Sequence, residues 1–128
     1  MRKAVTTDTA SKGDGPYSQA IISNGFVYVS GQGPLTPGTN QIVGSEVKEQ
    51  AAVTLQNIKL ILEAAGCSMD DVVKVNVYLA SMKDFAAFNE VYVQYFSAPM
   101  PARSCVGAEL DDILVEIDAI AEIPTNGN

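Results

Sequence analysis

Residues 45–79 read SEVKEQAAVTLQNIKLILEAAGCSMDDVVKVNVYL, and this stretch decides the fold. In its first half, apolar residues recur every three or four positions, which predicts a helix with one buried face. This apolar stripe consists of Val47, Ala51, Leu55, Ile58, Leu62 and Ala65. Ser45 is expected to cap the start of the helix, and Gly66 suits the left-handed position after its end. Residues 73–79 then alternate between apolar and polar side chains, so a half-buried strand should follow.

A hairpin is predicted before this stretch. Residues 17–22 and 26–30 have the composition of strands, and Ser23-Asn24-Gly25 between them is typical of a hairpin turn. The next segment, residues 31–44, contains four glycines and two prolines and is interpreted as a loop.

A second helix and two closing strands are predicted after it. The helix should open at Ser81 and stop before Pro99, because proline removes a backbone donor. Its aromatic face consists of Phe85, Phe88, Tyr92, Tyr95 and Phe96. Residues 103–106 and 113–123 are predicted as strands. The element order favours an α+β fold with two helices packed on one face of a mixed sheet.

The strand predicted at 113–123 has two different faces. One face is apolar throughout, whereas the other mixes Leu114 and Ile120 with Glu116, Asp118 and Glu122. A face of this kind is expected at a subunit interface that contains a polar pocket. Because no predicted element remains to cover the second face of the sheet, the pattern also predicts an oligomer.

Composition limits the class of protein. The 128 residues predict one domain, 1–128, and the 47% hydrophobic content is that of a globular chain. There are 15 acidic against 8 basic residues, a formal charge of −7, which argues against a nucleic-acid partner. The sequence shows neither an apolar signal region nor a membrane span, so we expect no membrane partner and a cytoplasmic location.

The chain contains no histidine, which restricts the chemistry available to it. Ser-His-Asp and Cys-His catalysis are excluded, and any general base has to be a carboxylate. Cys67 and Cys105 are too few for a disulfide framework, and without histidine no metal site is expected.

Arg103 lies at the start of an apolar strand, where a buried, unpaired charge would be costly. Its planar guanidinium could bind the carboxylate of a small molecule through two parallel hydrogen bonds. An internal ion pair with Glu116 or Asp118 is the alternative, and the pattern alone leaves both interpretations open.

Glu116 and Cys105 also have two interpretations each. Burial in an apolar strand would raise the pKa of Glu116 and make it, or Asp118, a candidate general base, although a structural carboxylate fits equally well. Cys105 shares a strand face with Arg103 and could be a nucleophile, but a small buried hydrophobic residue is the commoner role.

Three further polar residues are candidate pocket residues. Tyr17 and Ser30 adjoin glycine turns, where hydroxyls line pockets or are simply solvated. Asn89 borders the aromatic face of the second helix and needs a hydrogen-bond partner.

Six segments, in order and at compatible spacing, resemble motifs of the RidA/YjgF family of reactive-intermediate deaminases. They are GPYSQA (15–20), VSGQ (29–32), LEAAG (62–66), FNEVY (88–92), PARSCV (101–106) and VEIDAIA (115–121). The resemblance implies a chorismate-mutase-like subunit in a homotrimer, with clefts between neighbouring subunits. It also implies hydrolysis of 2-imino and 2-enamino acids, such as those derived from 2-aminoacrylate and 2-aminocrotonate, to 2-oxo acids and ammonia, without a cofactor.

The resemblance assigns roles to individual residues. Arg103 should hold the substrate carboxylate, and Glu116 should activate water for attack on the imine carbon. The backbone of Cys105 and Gly31 should frame the ligand. The residues expected to line the cleft are Tyr17, Ser30 and Asn89.

The sequence departs from the family pattern at three places. Residues 107–112 are shorter and more acidic than the usual loop, residues 97–100 are short compared with some members, and Gly33 replaces a bulky apolar residue. These changes affect the expected pocket width and substrate preference. The alternatives to a deaminase are a regulatory protein that binds a 2-oxo acid without turnover and, less favoured by the charge, a ribonuclease.

Overall fold

Among residues 1–125, which the computed structural model describes, six strands form one mixed sheet. The strands are β1 (Lys3–Val5), β2 (Ala20–Ser23), β3 (Phe26–Gln32), β4 (Val72–Leu79), β5 (Ala102–Gly107) and β6 (Val115–Glu122). Their order across the sheet is β1-β2-β3-β6-β4-β5. The β4–β5 pair is parallel and the other pairs are antiparallel. Because β5 is last in this order, it is an edge strand.

Two helices, α1 (Val47–Ala64) and α2 (Phe85–Tyr92), pack on one face of this sheet. Five residues of the predicted stripe are buried in α1, with Leu55, Ile58 and Leu62 at most 1% exposed, whereas Ala65 is half-buried and lies just beyond the helix. The stripe packs over sheet residues such as Val27 and Ile117, which are completely buried. The prediction of an α+β fold with two helices on a mixed sheet is therefore confirmed. Neither helix is long and apolar enough to cross a membrane, a finding that applies to residues 1–125.

The ends of α1 agree only in part with the sequence. Gly66 has a φ of 87°, the left-handed conformation predicted for it. The prediction that Ser45 caps the helix is wrong. The cap position is one residue later, at Glu46, and it has no side-chain cap. The backbone N–H of Ser45 instead donates to Glu49 Oε1 at 3.3 Å.

The second helix is shorter than predicted. The hydroxyl of Ser81 accepts a hydrogen bond from the Lys83 N–H at 3.2 Å, but this caps a 3₁₀ turn, Met82–Asp84, that precedes α2. A second 3₁₀ turn, Met69–Asp71, precedes β4. The aromatic residues Tyr95 and Phe96 lie beyond the end of α2.

The first predicted strand also begins later, at Ala20 instead of Tyr17. The Tyr17 N–H bonds back to the Gly15 carbonyl at 2.9 Å, which bends the chain out of the sheet. The side chain of Gln19 turns inward and donates to the Ser11 carbonyl at 3.0 Å. These residues therefore form a loop held against the sheet.

The face of the sheet opposite the helices is left uncovered by residues 1–125. Cross-strand register places Tyr78 beside Glu116 and Asn76 beside Asp118 on this open face. Tyr28, also on this face, is 45% exposed. The open face therefore carries the mixed polar and apolar pattern that the sequence predicts for it.

Asn57 of α1 holds the glycine-rich loop in place. Its side chain is 3% exposed, and its Nδ2 donates to the carbonyls of Gly33 at 3.2 Å and Leu35 at 2.9 Å. Its Oδ1 accepts from the Ser11 N–H at 3.4 Å. One buried amide thus joins the N-terminal segment, the loop and the helix.

Residues 108–114, which connect β5 to β6, are anchored at both ends. The Ala108 N–H donates to the Leu79 carbonyl at 2.9 Å. At the other end, the Leu114 N–H donates to the buried Oε1 of Gln50 at 2.7 Å. The short connection therefore keeps a defined path between the two strands.

Candidate active site

Arg103 lies on β5 and points toward the helices. It pairs in parallel register with Val75, which is completely buried beneath them. Its Nη1 donates a hydrogen bond of 2.7 Å to Oδ1 of Asn89 on α2. The partner that Asn89 requires is therefore Arg103, and the bond fixes one end of the guanidinium.

Aromatic rings surround the same guanidinium. The Cζ atom of Arg103 lies 4.7 Å from the ring centroid of Tyr92, 5.7 Å from that of Phe85 and 6.0 Å from that of Phe88. A cation over an aromatic face at these distances is attracted by the negative face of the ring. The aromatic side of α2 thus provides both packing and charge stabilisation for Arg103.

Arg103 has no acidic partner within residues 1–125. The ion pairs in this part of the chain are Lys12–Asp8 and Lys48–Glu90. The internal ion pair of Arg103 with Glu116 or Asp118 is therefore not formed. Since Asn89 uses a single donor, the guanidinium keeps N–H groups for a carboxylate from outside the chain.

Glu116 lies on the open face of the sheet, opposite Tyr78 of β4. Its Oε2 approaches Gly31 so closely that a Cβ at that position would collide with it. Burial raises the pKa of the Glu116 carboxyl, and the negative charge of Asp118 raises it further. Glu116 therefore has the environment of a carboxylate that exchanges protons nearer to neutral pH.

Asp118 is engaged in hydrogen bonds and Glu116 is not. Its carboxylate accepts from Asn76 Nδ2 at 2.8 Å and from Tyr78 Oη at 3.0 Å. The bond to Asp118 raises the pKa of Tyr78. The side chain of Glu116 has no hydrogen-bond partner within residues 1–125. Of the two candidate bases, Glu116 is thus the one that is free to bind water.

A β-bulge brings the glycine backbone to the Glu116 carboxylate. The register of β3 against β6 shifts between Val29 and Gln32, which places two residues, Ser30 and Gly31, opposite the single residue Asp118. The Ser30 hydroxyl donates to the Ser18 carbonyl at 2.6 Å, so it stabilises the bulge instead of standing free in a pocket. Bulges of this kind redirect the chain next to functional sites.

Tyr17 lies in the loop before β2 and is 48% exposed. Its ring covers Gly13 and Gly15, and a Cβ at Gly15 would lie 2.5 Å from Tyr17 Cε2. The glycine turn beside Tyr17 therefore also provides space for its ring. The role of Tyr17 in lining a cleft stays a prediction.

The environment of Cys105 does not favour a nucleophile. Cys105 is half-buried, two residues beyond Arg103 on the same face of β5. Burial raises the pKa of its thiol more than the Arg103 charge lowers it. The thiol is therefore protonated at neutral pH, when a nucleophilic cysteine would be a thiolate.

The candidate residues form two groups on opposite faces of the sheet. Arg103, Asn89 and Cys105 lie on the helix side, whereas Glu116 and Gly31 meet on the open side. The interpretation of Arg103 and Glu116 as neighbours is wrong for a single subunit. The sequence shows which side chains of one strand share a face. It does not show whether side chains of two different strands lie on the same face of the sheet, because that depends on how the strands pair.

Sequence reasoning gave no site role to Tyr92, Asn76 or Tyr78. A signal for Tyr92 exists, because it follows Asn89 by three positions on the helix and so shares its face. Asn76 and Tyr78 become recognisable only once the pairing with β6 is known. Within residues 1–125, no cluster of three His, Cys, Asp or Glu side chains is placed to hold a metal ion.

Known proteins resemble this chain along most of its length. The family model described as endoribonuclease L-PSP matches residues 7–123. A RutC family protein of Pyrococcus horikoshii is 49% identical over 123 residues, covering 94% of this chain and 98% of the relative. The mouse protein named 2-iminobutanoate/2-iminopropanoate deaminase is 44% identical over 123 residues, covering 94% of this chain and 91% of the relative.

The fold agrees with these sequence relationships. The crystal structure of RidA from the Antarctic bacterium Psychrobacter sp. PAMC 21119 matches with a TM-score of 0.90 and 43% identity, covering 94% of this chain and 99% of that one. The sequence motifs, the family model and the shared fold all point to the same assignment. The chain belongs to the RidA/YjgF family, whose matching model is described as endoribonuclease L-PSP.

Proposed function

We propose that the protein is a hydrolytic deaminase that converts 2-imino and 2-enamino acids, such as those derived from 2-aminoacrylate and 2-aminocrotonate, to 2-oxo acids and ammonia. The name of the mouse relative supports this class of substrate. A cytoplasmic location, predicted from the sequence, is part of the proposal.

The observation that carries the proposal is that Arg103 is held in place without an acidic partner among residues 1–125. Its guanidinium is held by Asn89 and by aromatic rings, yet residues 1–125 supply no carboxylate to neutralise it. A fixed cation of this kind selects a planar anion such as the carboxylate of a 2-imino acid, through two parallel hydrogen bonds. Since the chain has a formal charge of −7, this local site is needed to attract an anionic substrate.

The proposed enzyme is a homotrimer in which neighbouring subunits share each cleft. Because Arg103 and Glu116 lie on opposite faces of one sheet, a cleft that contains both is more easily built from two subunits than from one. The uncovered face of the sheet also requires a partner surface. In this arrangement one subunit contributes Arg103 and its neighbour contributes Glu116 with Gly31.

The proposed reaction begins when Arg103 binds the substrate carboxylate and places the imine carbon beside a water on Glu116. Glu116 takes a proton from the water as its oxygen bonds to the imine carbon, whose electron pair moves to nitrogen. The proton passes from Glu116 to the amine of the resulting carbinolamine. Glu116 then takes the proton of the hydroxyl and passes it to the nitrogen as the carbon–nitrogen bond breaks, so that a 2-oxo acid and ammonia leave.

This route needs no covalent intermediate and no cofactor. The imine is already electrophilic, so a positioned water and one base provide the required acceleration. The protonated thiol of Cys105 is consistent with a framing role. The raised pKa of Glu116 suits a group that both accepts and returns a proton.

The test is a coupled assay in which a pyridoxal-phosphate dehydratase releases 2-aminoacrylate from serine. Formation of the 2-oxo acid is followed with wild-type protein, with Arg103→Ala and with the control Arg2→Ala, which removes the other, exposed arginine. We expect wild type and Arg2→Ala to exceed the spontaneous rate and Arg103→Ala to match it. Equal activity of Arg103→Ala and wild type, or no acceleration by wild type, would refute the proposal.

The same preparations separate the alternatives. Binding of a 2-oxo acid that depends on Arg103, without turnover, would indicate a carboxylate-binding regulatory protein. The description of the matching family model raises the ribonuclease alternative. The excess of 15 acidic over 8 basic residues opposes the binding of RNA phosphates, so we expect RNA incubated with the protein to stay intact.

A further inference from the structure

Tyr92 is the aromatic residue nearest to the Arg103 guanidinium, at 4.7 Å from Cζ to the ring centroid. It lies at the end of α2 and is only 4% exposed. On its other sides the ring packs against Phe96, with centroids 4.6 Å apart, and against Phe88, with centroids 5.7 Å apart. These contacts fix the position of the ring independently of Arg103.

The hydroxyl of Tyr92 plays no part in hydrogen bonding within residues 1–125. It is buried and has no partner there. Burial raises the pKa of this hydroxyl, so Tyr92 is neutral at physiological pH and forms no ion pair with Arg103. The interaction between the two residues is therefore made through the face of the ring.

The hydrogen bond to Asn89 alone does not determine the orientation of the guanidinium. A single bond from Nη1 to Oδ1 fixes one point and leaves the plane free to turn about that bond. The ring of Tyr92, packed against the cation, limits this rotation. Asn89 and Tyr92, three residues apart on one face of α2, thus act on the guanidinium in different ways.

We propose that Tyr92 is a positioning residue, whose ring fixes the plane of Arg103 so that its free N–H groups face the substrate carboxylate. The proposal rests on the proposed function of Arg103 as the carboxylate-binding residue and adds how Arg103 is oriented. Fixing the guanidinium before binding lowers the conformational entropy lost when the ligand arrives, and affinity rises accordingly.

The test uses three variants of the full-length protein. Tyr92→Phe keeps the ring and removes the unpartnered hydroxyl. Tyr92→Met replaces the ring with a flexible apolar chain that fills the space. The control, Phe96→Met, disturbs the same aromatic cluster at a ring that is not among those near Arg103.

The first readout is the Kd for 2-oxobutanoate, a 2-oxo acid of the class that the proposed reaction releases, measured by calorimetry. We expect Tyr92→Met to raise Kd about 5- to 30-fold and Tyr92→Phe to stay within about twofold of wild type. Phe96→Met should also bind like wild type. Wild-type affinity in Tyr92→Met, or equal losses in Tyr92→Met and Phe96→Met, would overturn the proposal, as would a loss in Tyr92→Phe equal to that in Tyr92→Met.

The second readout needs neither ligand nor turnover. The chain has two arginines, and exposed Arg2 is an internal reference for Arg103 in side-chain Nε–H NMR spectra. The aromatic ring current should shift the Arg103 resonance away from that of Arg2 in wild type and in Phe96→Met, and this shift should shrink in Tyr92→Met. Absence of the shift in wild type would overturn the proposal even if the Tyr92→Met protein did not fold.

These readouts separate the two proposals. If wild type binds 2-oxobutanoate more tightly than Tyr92→Met does but hydrolyses no imine, the deaminase proposal fails while the role of Tyr92 stands. If wild type hydrolyses the imine and Tyr92→Met binds 2-oxobutanoate as tightly as wild type, the role of Tyr92 fails alone.

Discussion

Arg103 and Glu116 lie on opposite faces of the same sheet. Arg103 on the edge strand β5 faces α2, where Asn89 accepts its Nη1 hydrogen at 2.7 Å. Glu116 on β6 faces the open side and lies against Gly31. A cleft that uses both side chains therefore has a strong geometric reason to lie between subunits, and this arrangement can be tested without a structure of the assembly.

Mixing two inactive variants should restore activity. Arg103→Ala and Glu116→Gln are each expected to be inactive, but in the proposed trimer a mixture of the two kinds of subunit should form some clefts with an intact Arg103 and an intact Glu116. Random mixing of equal amounts gives about one quarter of the clefts this composition, because the two residues come from different subunits. The measurement is imine hydrolysis after the two proteins are unfolded and refolded together.

Proteins refolded separately and then assayed together are the control for this experiment. If refolding the two variants together gives no more activity than this control, both residues act from the same subunit or one of them is not part of the site.

The pH dependence of the reaction should follow the ionisation of the Glu116 carboxyl group. The proposed reaction requires the ionised form of Glu116, so kcat/KM should fall as the pH decreases through the pKa of Glu116, which burial and Asp118 raise. Asp118→Asn removes a neighbouring negative charge, lowers the pKa of Glu116 and should move the acidic limb of the profile to lower pH. Glu122→Gln, an exposed change on the same strand, should leave the limb in place. A limb that stays fixed in Asp118→Asn contradicts the assignment of Glu116 as the base.

A methyl group at Gly31 should move the Glu116 carboxylate. Its Cβ position collides with Glu116 Oε2, so Gly31→Ala displaces the carboxylate or the bulge that faces it. We expect kcat to fall about 10- to 100-fold, the range associated with a catalytic group moved by about 1 Å. Gly33→Ala is a control for kcat alone, since Gly33 bears on the expected pocket width; its Cβ would lie 3.1 Å from Ile113 Cδ1 and 3.9 Å from Leu35 Cγ, away from Glu116. Equal kcat values for the two variants would exclude a close fit between Gly31 and Glu116.

Asn57 should contribute strongly to stability. Asn57→Ala leaves the carbonyls of Gly33 and Leu35 without their buried donor and opens a cavity, at a cost of about 2–4 kcal/mol in the free energy of unfolding. Urea unfolding provides the measurement. Gln56→Ala, a change of an exposed amide on the same helix, is expected to cost less than about 0.5 kcal/mol. A small loss in Asn57→Ala would show that water readily replaces these bonds.

The sequence predicted the elements whose patterns are long. The helix α1 extends over 18 residues and β4 over 8, so their apolar periodicities of three to four and of two are unmistakable. The three-residue strand β1 was missed, because so short a segment has no measurable pattern and forms by pairing with β2.

The candidate residues were predictable, but their arrangement was not. Arg103 and Glu116 stand out as charges in apolar strands, and the comparison with known motifs assigned them roles. Their separation on two faces depends on how β5 and β6 each pair with β4, which the sequence of neither strand encodes by itself. The role of Asn57 could not be predicted, because its side chain binds backbone carbonyls. Every residue has such a carbonyl, so no sequence pattern identifies the partners.

The way in which Asn57 holds the glycine-rich loop has a consequence for how substrate range evolves. Because Asn57 donates hydrogen bonds to the backbone carbonyls of residues 33 and 35, the path of the loop does not depend on the side chains at these positions. Substitutions in this loop could therefore change the width of the proposed cleft while α1 keeps the backbone in place. Relatives with this arrangement could therefore differ in the substrates they accept, through changes in the loop, while they keep the residues that carry out the reaction.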